Sequence, residues 1–524
     1  MPRFLDADEA LATIEDGQTV GILGAGGGLL EPDLLIRALG ERFDSTGSPT
    51  NLTLVHSTGL GDRRERGMTP LARAGMIDRV VAGHWGQTPA MSRLAEAEEI
   101  EAYNLPLGVM TQLHRAAAAG SPGVVTRVGL GTFVDPRFGG GRMNERATED
   151  LVELVELGGE EFLSYRTHPL DVALIRGWEA DQSGSISLVG EPMLLDVYAL
   201  ATAAHANGGK VIAQVKRVRP ADEPLPPGMV TVPGLFVDIV VEHPGQWQTY
   251  AGESNPGFAG TERIVLAGEA PMELSDRKVV ARRTAQLLEP GSIGAVGVGM
   301  PDGVGRVLAE EGCEDEVTLT VEHGIIGGVT ERGAIFGASV NFQAMIPAPD
   351  MIDFFHSGGL DFAVLGFAQI DRHGNVNVSK FGGTVMGSGG FIDISQGARK
   401  AIFCGTFTAG GLDVAVEDGR LALKAEGRTE KFVADVDQIT FSGPESLRQG
   451  QVTAVVTERA VFELRPEGLT LIEIAPGVDL ERDVIAHMGF TPPLAAEMAE
   501  MDPALFRPGP IGLAERWGAL AEAG

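Results

Sequence analysis

Two short segments of this chain carry residue types that could do chemistry together. Residues 317–328 read Val-Thr-Leu-Thr-Val-Glu-His-Gly-Ile-Ile-Gly-Gly. Val317, Leu319 and Val321 alternate with Thr318, Thr320 and Glu322, which predicts a strand with one apolar and one polar face. Glu322 then stands on the polar face at the carboxyl end, the edge at which open α/β sheets bind ligands. The glycines that follow let a large substrate come close, as a carboxylate nucleophile requires. Taken alone, the pattern also fits a solvated glutamate at a strand end. The second segment, Gly387-Ser388-Gly389-Gly390-Phe391, offers successive backbone N–H groups with no side chains to block them. Such a loop can stabilise the oxyanion formed in acyl transfer. Together the two segments predict acyl transfer through a covalent acyl-carboxylate intermediate.

Other motifs argue against different chemistries. Gly24-Ala25-Gly26-Gly27-Gly28-Leu29 lacks the third glycine of a dinucleotide fingerprint, and no acid closes the following strand, Asn51 to His56. A helix N-terminus holding some anion remains open there. Gly337-Ala338-Ser339-Val340-Asn341 lacks the second glycine of a nucleophile elbow. His84, in Gly83-His84-Trp85-Gly86, is expected to line a pocket rather than act as a base. If the strand continued, His323 would face away from Glu322. Asp371 and His373 read as turn residues. Cys313 and Cys404 make neither a disulfide framework nor a zinc site.

The elements that must position these residues are legible as a duplicated pattern. Val20 to Gly26 resembles Ile293 to Gly299, each an apolar strand closing on Gly-x-Gly before a helical segment, Pro32 to Phe43 and Asp302 to Glu310. Asp78 to Gly83 resembles Asp361 to Gly366, and Gly129 to Asp135 resembles Gly387 to Asp393. Three matches in one order predict two related α/β domains with mainly parallel sheets, residues 1–270 and 271–524, divided near Ala270. Hairpins are added to the second: Leu412 to Val416 and Leu421 to Lys424 flank Asp418-Gly419, and further strands follow at 452–457, 461–464 and 469–474. The last forty or so residues read as helical.

Composition narrows the partners. The chain has 524 residues, 44% of them hydrophobic, so it can bury sizeable cores. Its 72 glycines recur where apolar runs end, as tight turns demand. A net charge of −31 disfavours nucleic acid and anionic membrane surfaces, and any anionic substrate must find locally positive groups. No signal-like or membrane-spanning run is evident, so a cytoplasmic protein is expected.

Read as a whole, the chain resembles the class I coenzyme A-transferases of the fused, single-chain propionate/acetate type. The likeness rests on Thr53 to His56, Gly83 to Gly86, Ala102 to Pro106 and Gly129 to Gly141 in the first half. In the second half it rests on Ala281 to Arg283, Gly297 to Pro301, Glu322 to Gly324, Gly358 to Asp361, Gly374 to Phe381, Gly387 to Ile394 and Phe403 to Gly411. The resemblance implies transfer of CoA between an acyl-CoA and a free carboxylic acid, short-chain acids such as acetate or propionate foremost. Glu322 maps to the family's catalytic glutamate, which passes through an acyl-glutamyl anhydride and a glutamyl-CoA thioester. Gly389 and Gly390 would supply oxyanion-hole amides. Gly297, Val298, Gly299 and Met300 match the CoA-contacting loop; Gly387, Lys380, Arg399 and Lys400 are further CoA-site candidates. Gly26, Gly27, His84 and Leu107 are expected in the substrate pocket. CoA enters as substrate and covalent intermediate, with no permanently bound cofactor and no metal, and the family expectation is a homo-oligomer, dimer or tetramer. One departure stands out: family members commonly carry glutamine where this chain has Leu107, and leucine cannot donate a hydrogen bond. Gln112 is a candidate replacement donor. A thioester hydrolase on the same scaffold, or a metabolite-binding protein without catalysis, are the alternatives.

Overall fold

The computed structural model describes residues 1–266 and 270–523. They form two compact units, one of residues 1–265, 321–353 and 383–393, the other of residues 266–320, 354–382 and 394–524. Glu322 and the Gly387–Phe391 loop belong to the first unit, not to the one built from most of the C-terminal half. The chain leaves the second unit after Thr320, because the turn at Glu322 redirects it.

The first unit is built on a nine-stranded sheet. Its main strands and helices are β1 (Arg3–Phe4), β2 (Thr19–Ile22), α1 (Asp33–Thr46), β3 (Leu52–His56), β4 (Ile77–Ala82), β5 (Glu101–Asn104), α2 (Leu107–Ala118), β6 (Val172–Ala180), α3 (Val197–Ala206), β7 (Lys210–Val218) and β8 (Ile239–Glu242). The spatial order is β1-β8-β7-β6-β2-β3-β4-β5, parallel throughout, with Ile186–Ser187 antiparallel to β6. Parallel strands covered on both faces read as near-continuous apolar runs. Val172 to Ile175 and Val211 to Ala213 do so and are fully buried.

The second unit contains β9 (Ile293–Val296), α4 (Gly303–Glu310), β10 (Thr318–Val321), β11 (Leu360–Leu365), β12 (Ala398–Cys404), β13 (Val452–Val456), β14 (Ala460–Arg465), β15 (Gly468–Ile474) and β16 (Leu494–Glu500). They lie in the order β10-β9-β11-β12-β13-β14-β15-β16. β10 to β13 are parallel; β14 is antiparallel to both of its neighbours. The Asp418-Gly419 turn joins Asp413–Glu417 to Arg420–Ala425, with positive φ at both turn residues. The tail is less helical than its composition suggests, since β16 pairs with β15 before the final helix, Leu513–Ala523.

The two sheets share a core order, β8-β7-β6-β2-β3 in one and β13-β12-β11-β9-β10 in the other. This order corrects one of the three sequence matches. The counterpart of β11 is β6, not β4: Leu170-Asp171-Val172-Ala173-Leu174 aligns with Leu360-Asp361-Phe362-Ala363-Val364. The chemistry agrees. Asp171 accepts the amide of Thr19 at 2.8 Å, and Asp361 that of Ile293 at 2.9 Å, each tying the start of the neighbouring strand. A second repeated device follows. Asp181 accepts the amides of Ser183 and Ser185, and Asp371 those of His373 and Asn375, closing turns through Gly184 and Gly374. Asp371 and His373 are thus turn residues, as read. The third match joins unlike surroundings, a 3-10 turn at Pro136–Phe138 and a helix at Phe391–Gly397.

Buried charge in the first unit is concentrated on Arg176 of β6. Its guanidinium donates to both carboxylate oxygens of Glu191 at 2.9 Å, and also to the carbonyls of Gly28, Glu31, Trp247 and Gln248. Both side chains are essentially inaccessible. Burial raises the Glu191 carboxyl above its ordinary range, and Arg176 opposes that rise. Removing one partner of such a pair costs about 3–5 kcal/mol. Arg176→Met should therefore lower the urea midpoint strongly, and adding Glu191→Leu should recover much of the loss.

Burial lowers His56, His84 and His168 to about 4 and raises the Glu31 carboxyl to about 7. Below about pH 6.5 an unfolded chain protonates these histidines while the folded chain does not, so stability falls with pH. Glu31 acts oppositely: its contribution is present at low pH and lost as pH rises through 7. Three groups outweigh one, so the urea midpoint should fall as pH drops from 6.5 to 4.5.

Candidate active site

Glu322 is the first residue beyond β10. The Gly324 amide donates to the Val321 carbonyl at 2.9 Å and closes a turn that makes Glu322 a corner. Gly324 has φ +107°, and a Cβ there would stand 1.9 Å from the Ile346 oxygen, so only glycine fits. From this turn the chain enters the short hairpin Ile325–Ile326 with Ala344–Met345. The turn also changes the place of His323. Its Nε2 lies 4.0 Å from Glu322 Oε1, so it does not face away as a continued strand would require. That distance is too long for a hydrogen bond.

The Gly387–Gly390 loop is tied to the carboxyl ends of β4 and β5 by Asn104. The Ser388 amide donates to Asn104 Oδ1 at 2.8 Å, and Asn104 Nδ2 donates to the carbonyls of Ala82 and Gly83 at 2.7 Å each. The Trp85 and Gly86 amides donate to Met386, and the Leu107 amide, the first of α2, donates to the Gly389 carbonyl. Gly108 donates its amide to Asp393. With the loop held in this way, a Cβ on Gly390 would stand 3.1 Å from Glu322 Cγ and 3.2 Å from its Oε1. Bare backbone therefore lies against the Glu322 side chain, which would have to shift by a few tenths of an ångström to admit a Cβ.

The two expected oxyanion amides are not equivalent. Gly389 donates its N–H to the Gly83 carbonyl at 2.8 Å, so that amide is already engaged. Among the described residues the Gly390 N–H has no acceptor.

The expected pocket residues come together in the same unit. His84 stands beside Gly389, its ring Cδ2 3.3 Å from where a Gly389 Cβ would be, and the His84 Cα is equally close to Gly387. Burial holds its ring neutral, and the charges of Arg63 and His56 act in the same direction. Gly26 faces the Gln87 amide group, and Gly27 packs on the Ala334 carbonyl, in the same segment as Glu322. Leu107 is buried and meets the loop through its backbone N–H. Gln112 is not a replacement donor: its Nε2 donates to Asp353 at 2.8 Å on an exposed face of α2.

The remaining candidates lie in the second unit. Gly297 to Met300 form the turn between β9 and α4, where Gly297 donates to the Val364 carbonyl and the Gly299 carbonyl accepts from Arg277. Val298 is half exposed there. Lys380 follows the Asn377 turn, and its backbone is held by the Asn377 side chain. Arg399 and Lys400 do not join the Gly297 turn. They stand at the start of β12, toward the amino-terminal edge of the sheet, where Arg399 pairs with Asp361 and Lys400 with Glu289 and the Leu287 carbonyl. Those acids already neutralise them.

The sequence reading missed the roles of Asn104 and Gln87. A side-chain amide at the end of β5, after a buried Ala-Tyr pair, is the one local sign of Asn104's role. A cleft of about 320 Å³ lined by Gly28, Arg66, His243, Trp247 and Tyr250, among others, contains none of the expected catalytic residues. Geometry and chemistry favour Glu322 over that cleft as the reacting centre.

Comparisons with known proteins identify the family. A sequence profile described as coenzyme A transferase matches residues 4–243. Acetate CoA-transferase YdiF of Escherichia coli (strain K12) is 48% identical over 504 residues, covering 96% of this chain and 94% of that protein. Caffeate CoA-transferase of Acetobacterium woodii is 43% identical over 529 residues, covering 99% of both. The crystal structure of the acyl-CoA transferase YdiF apoenzyme from Escherichia coli O157:H7 superposes with a TM-score of 0.93 at 46% identity, covering 98% of this chain and 97% of that one. Its thioester complex with CoA gives the same values. With its mixed α/β fold and mainly parallel sheets, this chain is an enzyme of the coenzyme A transferase family.

Proposed function

We propose that this enzyme moves CoA between an acyl-CoA and a free short-chain carboxylic acid, acetate or propionate foremost, by ping-pong chemistry on Glu322. The observation that carries this reading is the close approach of Gly390 to the Glu322 carboxylate. The ionised carboxylate attacks the thioester carbonyl, and the tetrahedral oxyanion collapses to an acyl-glutamyl anhydride and CoA thiolate. The thiolate attacks the glutamyl carbonyl, releasing the first acid and leaving a glutamyl-CoA thioester. The incoming carboxylate attacks that thioester and the steps reverse, so one thioester is exchanged for another. The Gly390 N–H is the amide placed to stabilise the oxyanions. The Gly297–Met300 turn is the CoA-contacting candidate retained in the second unit, and a homo-oligomer is the expected assembly.

The acid preference follows the relatives, whose names give acetate in one case and caffeate in the other. A matrix of acyl-CoA donors and free acids should show highest kcat/KM with short-chain pairs. A uniformly higher rate with cinnamate-type acids would reassign the substrate.

Incubation with acetyl-CoA alone should produce an intact-mass increase of one CoA less water, located on the Glu322 peptide. Glu322→Ala should remove both adduct and transfer while leaving the thermal midpoint nearly unchanged. Release of free CoA at the same rate with and without an acid acceptor would instead identify a thioester hydrolase.

Gly390→Ala should lower kcat by about 100-fold, because the new methyl presses on the Glu322 carboxylate and shifts the backbone beside it. Circular dichroism should show the fold intact, so the loss reads as misplacement of the reacting groups.

A further inference from the structure

An oxyanion site is ordinarily built from more than one donor, and four groups expected near this one can be sorted by what they already bind. The Gly389 N–H is held by Gly83, and the Gln112 amide by Asp353. Leu107 carries no donor in its side chain. The Gly390 N–H is open among the described residues. A second donor is therefore missing from the backbone loop and from the Leu107 side chain.

His84 is set to fill the gap. Glycines surround its ring: a Cβ on Gly59 would stand 2.6 Å from Nδ1, one on Gly86 3.0 Å from Cε1, and one on Gly389 3.3 Å from Cδ2. Nε2 lies between Cε1 and Cδ2 in the ring, so that edge is directed between Gly86 and Gly389. Nδ1 is buried with no hydrogen-bond partner among the described residues. A neutral imidazole holds one N–H, and a buried N–H without an acceptor is costly. The assigned tautomer therefore carries its proton on Nε2, the edge toward the loop. Burial keeps the ring neutral at neutral pH, so it can donate without competing for the carboxylate as a cation.

We infer that His84 is a second oxyanion donor, its Nε2–H acting with the Gly390 N–H where the Leu107 side chain supplies none. This inference rests on the acyl-glutamate reading above. No proton is transferred by His84 in this role; the ring holds its N–H toward the oxyanion while the bonds to Glu322 form and break.

The test is a set of kinetic variants in the full chain: His84→Leu, His84→Asn, Leu107→Gln, and the pair His84→Leu with Leu107→Gln. His84→Leu should lower kcat by about 10²–10³-fold with little change in KM, the usual loss for one oxyanion donor. H84N, which retains a side-chain N–H, should keep more activity than H84L. Leu107→Gln in the H84L background should recover at least about tenfold of the loss, because it restores a donor from the other side. Where H84L does not fold, H84A with and without L107Q gives the same comparison. A kcat for H84L or H84A within about threefold of the parent, or no recovery on adding Leu107→Gln, would overturn the inference. The CoA adduct on Glu322 separates the two readings. If the parent forms none, the acyl-glutamate chemistry fails; if it forms one and the His84 variants behave like the parent, only the donor assignment fails.

Discussion

A carboxylate that is to be acylated must stand against bare backbone, close enough for an N–H to meet the oxyanion and with nothing in the space a substrate will occupy. Much of the first unit serves that requirement. Gly390 leaves room for Glu322, and Gly324 allows the turn that swings Glu322 out of its strand. Neither position could carry a side chain without moving the nucleophile or colliding with main chain. Glycine at these two positions is the direct cost of packing loops against each other's backbone.

Loops made of glycine do not hold themselves, and the structure fixes them with a few polar side chains placed on rigid strands. Asn104 satisfies carbonyls at the end of β4 and an amide of the Gly387–Gly390 loop at once. Arg176 does the same for the Gly28–Glu31 segment and the Trp247–Gln248 segment. Each is buried, so its hydrogen bonds are made in a medium where leaving one unmade is expensive. The mobility that glycine would otherwise confer is removed by these anchors, which is the condition for preorganised electrostatic catalysis.

Sequence patterns disclosed what repeats along the chain and little of what converges in space. The alternation before Glu322 located its strand, and the Gly387–Phe391 run identified the loop whose Gly390 amide has no acceptor among the described residues. The parallel sheets and the Asp418-Gly419 hairpin were legible from apolar runs and turn residues. Which strands correspond between the two sheets was not, because the Asp78 and Asp361 segments look alike while neighbouring in different orders; only the pairing through Asp171 and Asp361 reveals the repeat. The separate fates of the Gly389 and Gly390 amides were also hidden, since an acceptor such as Gly83 lies some three hundred residues away in the chain. Arg399 and Lys400 show the same limit. Their charge was visible, but not the acids that neutralise it at the far end of their strand.

The first unit is assembled from three separated stretches of chain, and the later two bring Glu322 and the Gly387–Gly390 loop. A backbone cut anywhere between residues 266 and 320 would leave the strands that anchor the Gly387–Gly390 loop on one fragment and Glu322 on the other. The protein is therefore not divisible where its sequence looks most divisible. Its halves are duplicates in pattern but interlaced in construction, so catalytic competence is a property of the whole thread rather than of either copy.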